Sequence, residues 1–89
     1  MRFQRYEWDD VNIDHIGSHN VIPQEIEEAN FNEPLVMKAR GKRYIVYGRS
    51  DSGRYIFIVA VYKGKGVVRA ITARNMTQSE RRLYNKKRG

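Results

Sequence analysis

The residues of this sequence best suited to chemistry are arginines. Arg49 closes a run reading Tyr47-Gly48-Arg49, Arg54 opens the next run, and Arg74 closes Thr72-Ala73-Arg74. Arg81 and Tyr84 follow on a C-terminal segment. Side chains alternate faces along a strand, so Arg49 is expected to share a face with Ile45 and Tyr47, and Arg74 with Thr72, Ala70 and Val68. Two guanidiniums on one sheet can hold a phosphate bidentately and stabilise charge building on it. The plainer reading makes them solubilising residues at strand ends. His15 and His19 stand four apart, the spacing of one helix face, and such a pair binds zinc when a third ligand arrives. The metalloprotease pattern needs Glu directly after the first His, and Ile16 stands there. A structural role near a helix end is therefore expected, and no metal or other cofactor is assigned.

Other chemistries are excluded by composition. There is no cysteine, which removes disulfides, thiolate zinc sites and cysteine nucleophiles together. No glycine-rich phosphate loop opens a helix; Gly48, Gly53, Gly64 and Gly66 read as turn glycines at strand ends. Asp51 and Glu80 are the only acids after Glu33, so paired carboxylates for glycoside chemistry find no support.

The formal charge of the 89 residues is +7, but it is unevenly spread. Residues 1–37 hold two arginines and eight carboxylates, a balance of −6, whereas residues 38–89 hold 15 Lys and Arg against two acids, a balance of +13. A polyanion or an acidic protein is thus expected to meet the second part. The length fits one domain spanning residues 1–89. The N-terminus shows no signal-peptide pattern, and the longest apolar run, 55–62, is far shorter than the ~20 residues a bilayer requires. A cytoplasmic protein with no membrane partner is the expectation.

The elements that must position the arginines follow from periodicity. Residues 3–8 read as a short strand, with Asp9 and Asp10 as helix N-cap candidates. Ile13 and Ile16 form the inward stripe of a helix ending near Gly17. Pro23 suits the first turn of a second helix, Ile26 and Ala29 face inward, and Asn32-Glu33-Pro34 ends it. Four strands are expected at 35–40, 44–49, 54–62 and 67–73, joined by turns too short for parallel crossovers. The run 55–62 is apolar on both faces and reads as the central strand, covered on each side. Strand 67–73 is expected to expose one face. Thr77 and Glu80 form a capping box for a last helix that carries Arg81, Arg82, Leu83 and Tyr84 and runs out at Gly89. The result is an α+β fold: two N-terminal helices packed on an antiparallel sheet, with a short C-terminal helix.

Tyr6-Glu7-Trp8-Asp9, Asn12, His15-Ile16, His19-Asn20-Val21, Pro23 and Glu25-Ile26-Glu27-Glu28-Ala29 resemble the opening of BrnT-family toxins. The later blocks agree in order: Gly41-Lys42-Arg43-Tyr44, Gly48-Arg49-Ser50, Gly53-Arg54-Tyr55, Ile71-Thr72-Ala73-Arg74, and Met76-Thr77 with Glu80-Arg81-Arg82 and Tyr84. The resemblance implies a RelE-like ribonuclease fold and an RNA substrate whose cleavage arrests translation. It also implies neutralisation by a BrnA-type antitoxin that dimerises through a DNA-binding domain, so that operator DNA is reached only through the antitoxin. One departure stands out: family members commonly carry Lys-His-Gly at the end of the first helix, and this chain has Ser18-His19-Asn20.

Carried onto this sequence, the resemblance implies metal-independent cleavage with the ribose 2′-OH as nucleophile. Arg49 and Arg74 would grip the scissile phosphate, Tyr84 would orient or stack a base, and His19 or Glu80 would move the proton. Arg43, Arg54 and Arg81 would guide the RNA backbone. The rival from another class is a non-catalytic basic module that binds RNA or a partner, since a basic face alone supports salt-sensitive binding.

Overall fold

The computed structural model describes residues 3–88; the expectations that touch Arg2 and Gly89 lie outside them. In chain order the elements are β1 (Arg5–Glu7), α1 (Asp10–Gly17), α2 (Pro23–Phe31), β2 (Leu35–Lys38), β3 (Arg43–Arg49), β4 (Tyr55–Gly64), β5 (Val67–Asn75) and α3 (Gln78–Arg88). The strands form one five-stranded sheet in the order β1-β5-β4-β3-β2, with β4 central as its two apolar faces predict.

The sheet is mixed, not purely antiparallel. Strands β2 to β5 pair antiparallel through tight turns, but β1 lies parallel to β5, with Tyr6 opposite Val68. No short turn constrains β1. Its partner is some sixty residues away, and α1 and α2 begin the return path.

Helix α1 starts where expected. Asp9 caps it, accepting from the Asn12 N–H, while the Asn12 side chain accepts from the Asp9 N–H. The inward stripe differs: Asn12 and Ile16 are buried, and Ile13 is 37% exposed. Asn12 takes the core position because its amide also donates to the Glu7 carbonyl, tying the helix start to β1. Helix α2 has Pro23 in its first turn and Glu25 accepting from the Ile22 N–H. Ile26 and Ala29 are fully buried.

The helices α1 and α2 cover one sheet face, where Ile16, Val21, Ile26 and Ala29 meet Val46, Ile56, Ile58, Ala60, Val68, Ala70 and Ala73. Helix α3 covers part of the other face, placing Leu83 and Tyr84 against Tyr47, Tyr55 and Phe57. Coverage of β4 is therefore unequal: Ile56, Ile58 and Ala60 are buried, while Tyr55, Phe57, Val59 and Val61 on the α3 side are only half-buried.

A bulge in β5 decides which side Arg74 takes. Val59 pairs with Thr72 but Ala60 pairs with Ala70, so Ile71 is an extra residue and the alternation changes phase. Val68 and Ala70 face α1 and α2, whereas Thr72 and Arg74 face α3. The expected common face of Arg74 with Ala70 and Val68 is thereby overturned, and Arg74 joins the row Tyr47–Phe57–Arg74 across three strands.

Candidate functional site

The end of β3 and the start of β4 bring Arg49 opposite Tyr55 on the α3 side of the sheet. Helix α3 supplies the second cation. Both guanidiniums lie on the Tyr55 ring, Arg49 at 4.8 Å and Arg81 at 4.3 Å from its centroid. Beneath, the buried Tyr84 ring meets Tyr55 edge-on at 5.9 Å. A hydrogen bond with the Asn85 side chain, aided by the charges of Arg49 and Arg81, brings the Tyr55 phenol below its usual pKa.

Two close approaches hold Arg49 in place. A Cβ on Gly48 would stand 2.8 Å from the Ala29 Cβ, so α2 packs directly on the β3 backbone beside Arg49. The Asn32 side chain, at the end of α2, donates to the Arg49 carbonyl at 2.9 Å and to Asp51 Oδ1 at 3.0 Å.

The arginines expected to act together differ sharply in their partners. Arg74 is committed: its Nη1 and Nη2 donate to the two Glu80 carboxylate oxygens at 2.8 and 3.1 Å, and it lies 4.1 Å above the Phe57 ring. That pairing holds the Glu80 carboxyl below the ordinary carboxylate range and raises Arg74. Arg54 points to the other side of the sheet. It donates to Glu25, Asn75 and the carbonyls of His19 and Asn20, stapling β4 to the α1–α2 loop. Arg43 sits at the far end of β3, about 20 Å along the strand from Arg49 at ~3.3 Å per residue. By contrast, the Arg49 side chain has no carboxylate partner among the described residues, and its Nε is buried with no hydrogen-bond acceptor. Tyr6 OH and Asn30 Oδ1 are likewise buried without a hydrogen-bond partner.

Three further expectations change. Tyr84 is fully buried, so its ring is unavailable to stack on a base. Glu80 accepts from the Thr77 N–H and receives the Thr77 hydroxyl at its own N–H, the expected capping box, but both of its oxygens are also occupied by Arg74. His15 and His19 do not share a helix face, because α1 stops at Gly17. His19 is exposed beside Arg54, with no hydrogen bond to its imidazole among the described residues. Asn20 adopts φ 61°, a left-handed conformation that Asn tolerates better than most residues. No three His, Asp or Glu side chains converge as a metal site would need among the described residues.

Tyr55 is the site residue that the spacing of the arginines did not reveal. The available signal was its place directly after Gly53-Arg54, opposite Arg49 across the five residues 50–54. The charge split of the sequence also acquires a direction. Asp10, Asp14, Glu25, Glu27 and Glu28 lie on α1 and α2, while the exposed Arg81, Arg82, Lys86 and Lys87 lie on α3.

Fold and site together define a small α+β protein with two guanidiniums, Arg49 and Arg81, gathered on one aromatic ring. Residues 8–80 match the sequence model of the ribonuclease toxin BrnT of type II toxin–antitoxin systems, and the chain belongs to that family. Membership indicates a ribonuclease toxin with an RNA target and a protein antitoxin as partner. No curated protein matches the chain. Among the described residues no helix is long and apolar enough to cross a membrane.

Proposed function

We propose that this chain is a RelE-like endoribonuclease, one domain over residues 1–89, that cleaves RNA in the cytoplasm without a metal and so inhibits translation. One observation carries the reading: Arg49 is a cation with a buried, unsatisfied donor, sharing one aromatic ring with Arg81. A phosphodiester supplies an anion for this guanidinium pair. The ribose 2′-oxygen attacks phosphorus, the 5′-oxygen leaves, and a 2′,3′-cyclic phosphate remains. Arg49 and Arg81 bind the non-bridging oxygens and stabilise the charge of the pentavalent state. The Tyr55 phenolate, the form that its lowered pKa favours, takes the proton of the 2′-OH and as the phenol returns it to the departing 5′-oxygen. Glu80 and His19 are less suited, the first being tied to Arg74 and the second lying beside Arg54. Arg74 positions α3, and thus Arg81, through Glu80.

Neutralisation by a BrnA-type antitoxin, dimeric and DNA-binding, completes the reading, with operator DNA reached only through that partner. The test is direct. Purified protein and a defined RNA should yield discrete fragments with cyclic phosphate ends, undiminished by EDTA. Loss of cleavage in EDTA refutes the metal-free mechanism, and a shifted but intact RNA assigns the chain to the non-catalytic binding class.

A further inference from the structure

Phe31, the last residue of α2, is 72% exposed, an unusual cost for a large apolar ring on so small a protein. It lines an open depression of about 490 Å³ together with Asn32, Glu33, Arg49, Ser50 and Asp51. That volume is in the range of small-ligand sites. The backbone that carries Phe31 is tied to the backbone of Arg49. Asn32, next to Phe31 in the chain, donates to the Arg49 carbonyl, and the Asn32 N–H closes α2 on the Glu28 carbonyl at 3.1 Å. Glu28 in turn accepts from the Asp51 N–H at 3.0 Å. The α2 end and the β3–β4 turn therefore move as one piece.

We propose that this depression is a nucleobase subsite in which one RNA base stacks on Phe31 while its phosphate meets Arg49. The inference rests on the ribonuclease reading and deepens it. A nucleotide suits both sides of the depression: the exposed ring of Phe31 receives a π-face, and the Arg49 cation receives the phosphate charge. Other rings near the site do not offer such a platform. Tyr84 is buried, and the Tyr55 ring already carries two guanidiniums. Phe31 thus takes the stacking role that the sequence pointed to at Tyr84. Stacking on an aromatic tolerates any base, because every base has a π-face.

The experiment compares wild type, Phe31→Ala and Phe31→Trp for binding to two probes that lack the nucleophile. One is a mixed-sequence 2′-O-methyl RNA heptamer, and the other a 2′-O-methyl ribose-phosphate chain of equal length without bases. Phe31→Ala should weaken heptamer binding by about 5- to 150-fold, the range measured for loss of one base–aromatic stack. Phe31→Trp should restore it, and the abasic chain should bind wild type and Phe31→Ala equally. Because the ring is exposed, all three proteins should melt at the same temperature. Unchanged heptamer affinity in Phe31→Ala overturns the subsite. If that variant keeps its RNA affinity but escapes neutralisation by the co-encoded antitoxin, the ring belongs to the protein interface instead. A wild type that neither binds the heptamer nor cleaves RNA refutes the ribonuclease reading itself, which is a separate result.

Discussion

Replacing Arg49 by Met separates stability from activity. Methionine keeps most of the apolar stem, while the guanidinium that lies beside Gly53 and on the Tyr55 ring is removed. What disappears is a guanidinium with no carboxylate partner among the described residues and a buried Nε–H that meets no acceptor. An unsatisfied buried donor costs about 1–3 kcal/mol, offset in part by the contact of the guanidinium with the Tyr55 ring. Arg49→Met should therefore leave Tm unchanged or raise it by up to about 8 °C, since ~1 kcal/mol shifts a domain of this size by about 4–8 °C. Activity should move the other way. Loss of one preorganised donor to a phosphoryl transition state typically removes about 10²- to 10³-fold in kcat. Arg74→Met is the control: it breaks a bidentate pair to Glu80 at a half-exposed site, for a loss of about 1 kcal/mol after solvent screening. It should lower Tm by about 4–8 °C. The assays are thermal melting and kcat/KM on a defined RNA. If Arg49→Met lowers Tm as Arg74→Met does, Arg49 is a structural arginine. If it cleaves at the wild-type rate, no phosphate sits there.

Glu80 has its pKa lowered in the folded state, chiefly by Arg74, so its contribution to stability is fully present above the unfolded carboxyl value near ~4.3 and is lost as pH falls through the folded value. Melting between about pH 6 and 2 should show Glu80→Gln losing part of the acid-side slope of the wild type. In an ultraviolet titration Tyr55 should ionise before Tyr6 and Tyr47, which burial delays. Tyr55→Phe should delete that earlier step and slow cleavage by about 10²-fold or more. Gly48→Ala places a methyl 2.8 Å from the Ala29 Cβ, so α2 must shift, at a cost of about 1–3 kcal/mol readable by melting. Cleavage should fall with it, because the same contact seats Arg49.

Much of the fold was legible because local rules and the hydrophobic pattern agreed. The Asp9 cap, Pro23, the Thr77–Glu80 box and three tight turns mark element ends, and the apolar run at 55–62 marks the middle strand. The partner of β1 was not legible, since a three-residue strand carries no sign of which distant edge it joins. Ile13 misled because apolar spacing says nothing about Asn12, whose polar group earns its buried place by bonding the Glu7 carbonyl.

By itself the sequence determined which chemistries its residue types leave out and where its positive charge lies: no cysteine, few late acids, and a charge of +13 after residue 37. It also determined the ordered blocks that place the chain among BrnT ribonuclease toxins. Only the tertiary structure decided which arginines are free to act. Ion pairs form between residues far apart in the chain, so spacing does not reveal that Glu25 claims Arg54 across 29 positions. Nor does alternation reveal that one extra residue at Ile71 turns Arg74 toward α3, where Glu80 takes both of its guanidinium arms. Arg49 and Arg81, without a carboxylate partner among the described residues, meet on the Tyr55 ring, a cluster made by folding alone.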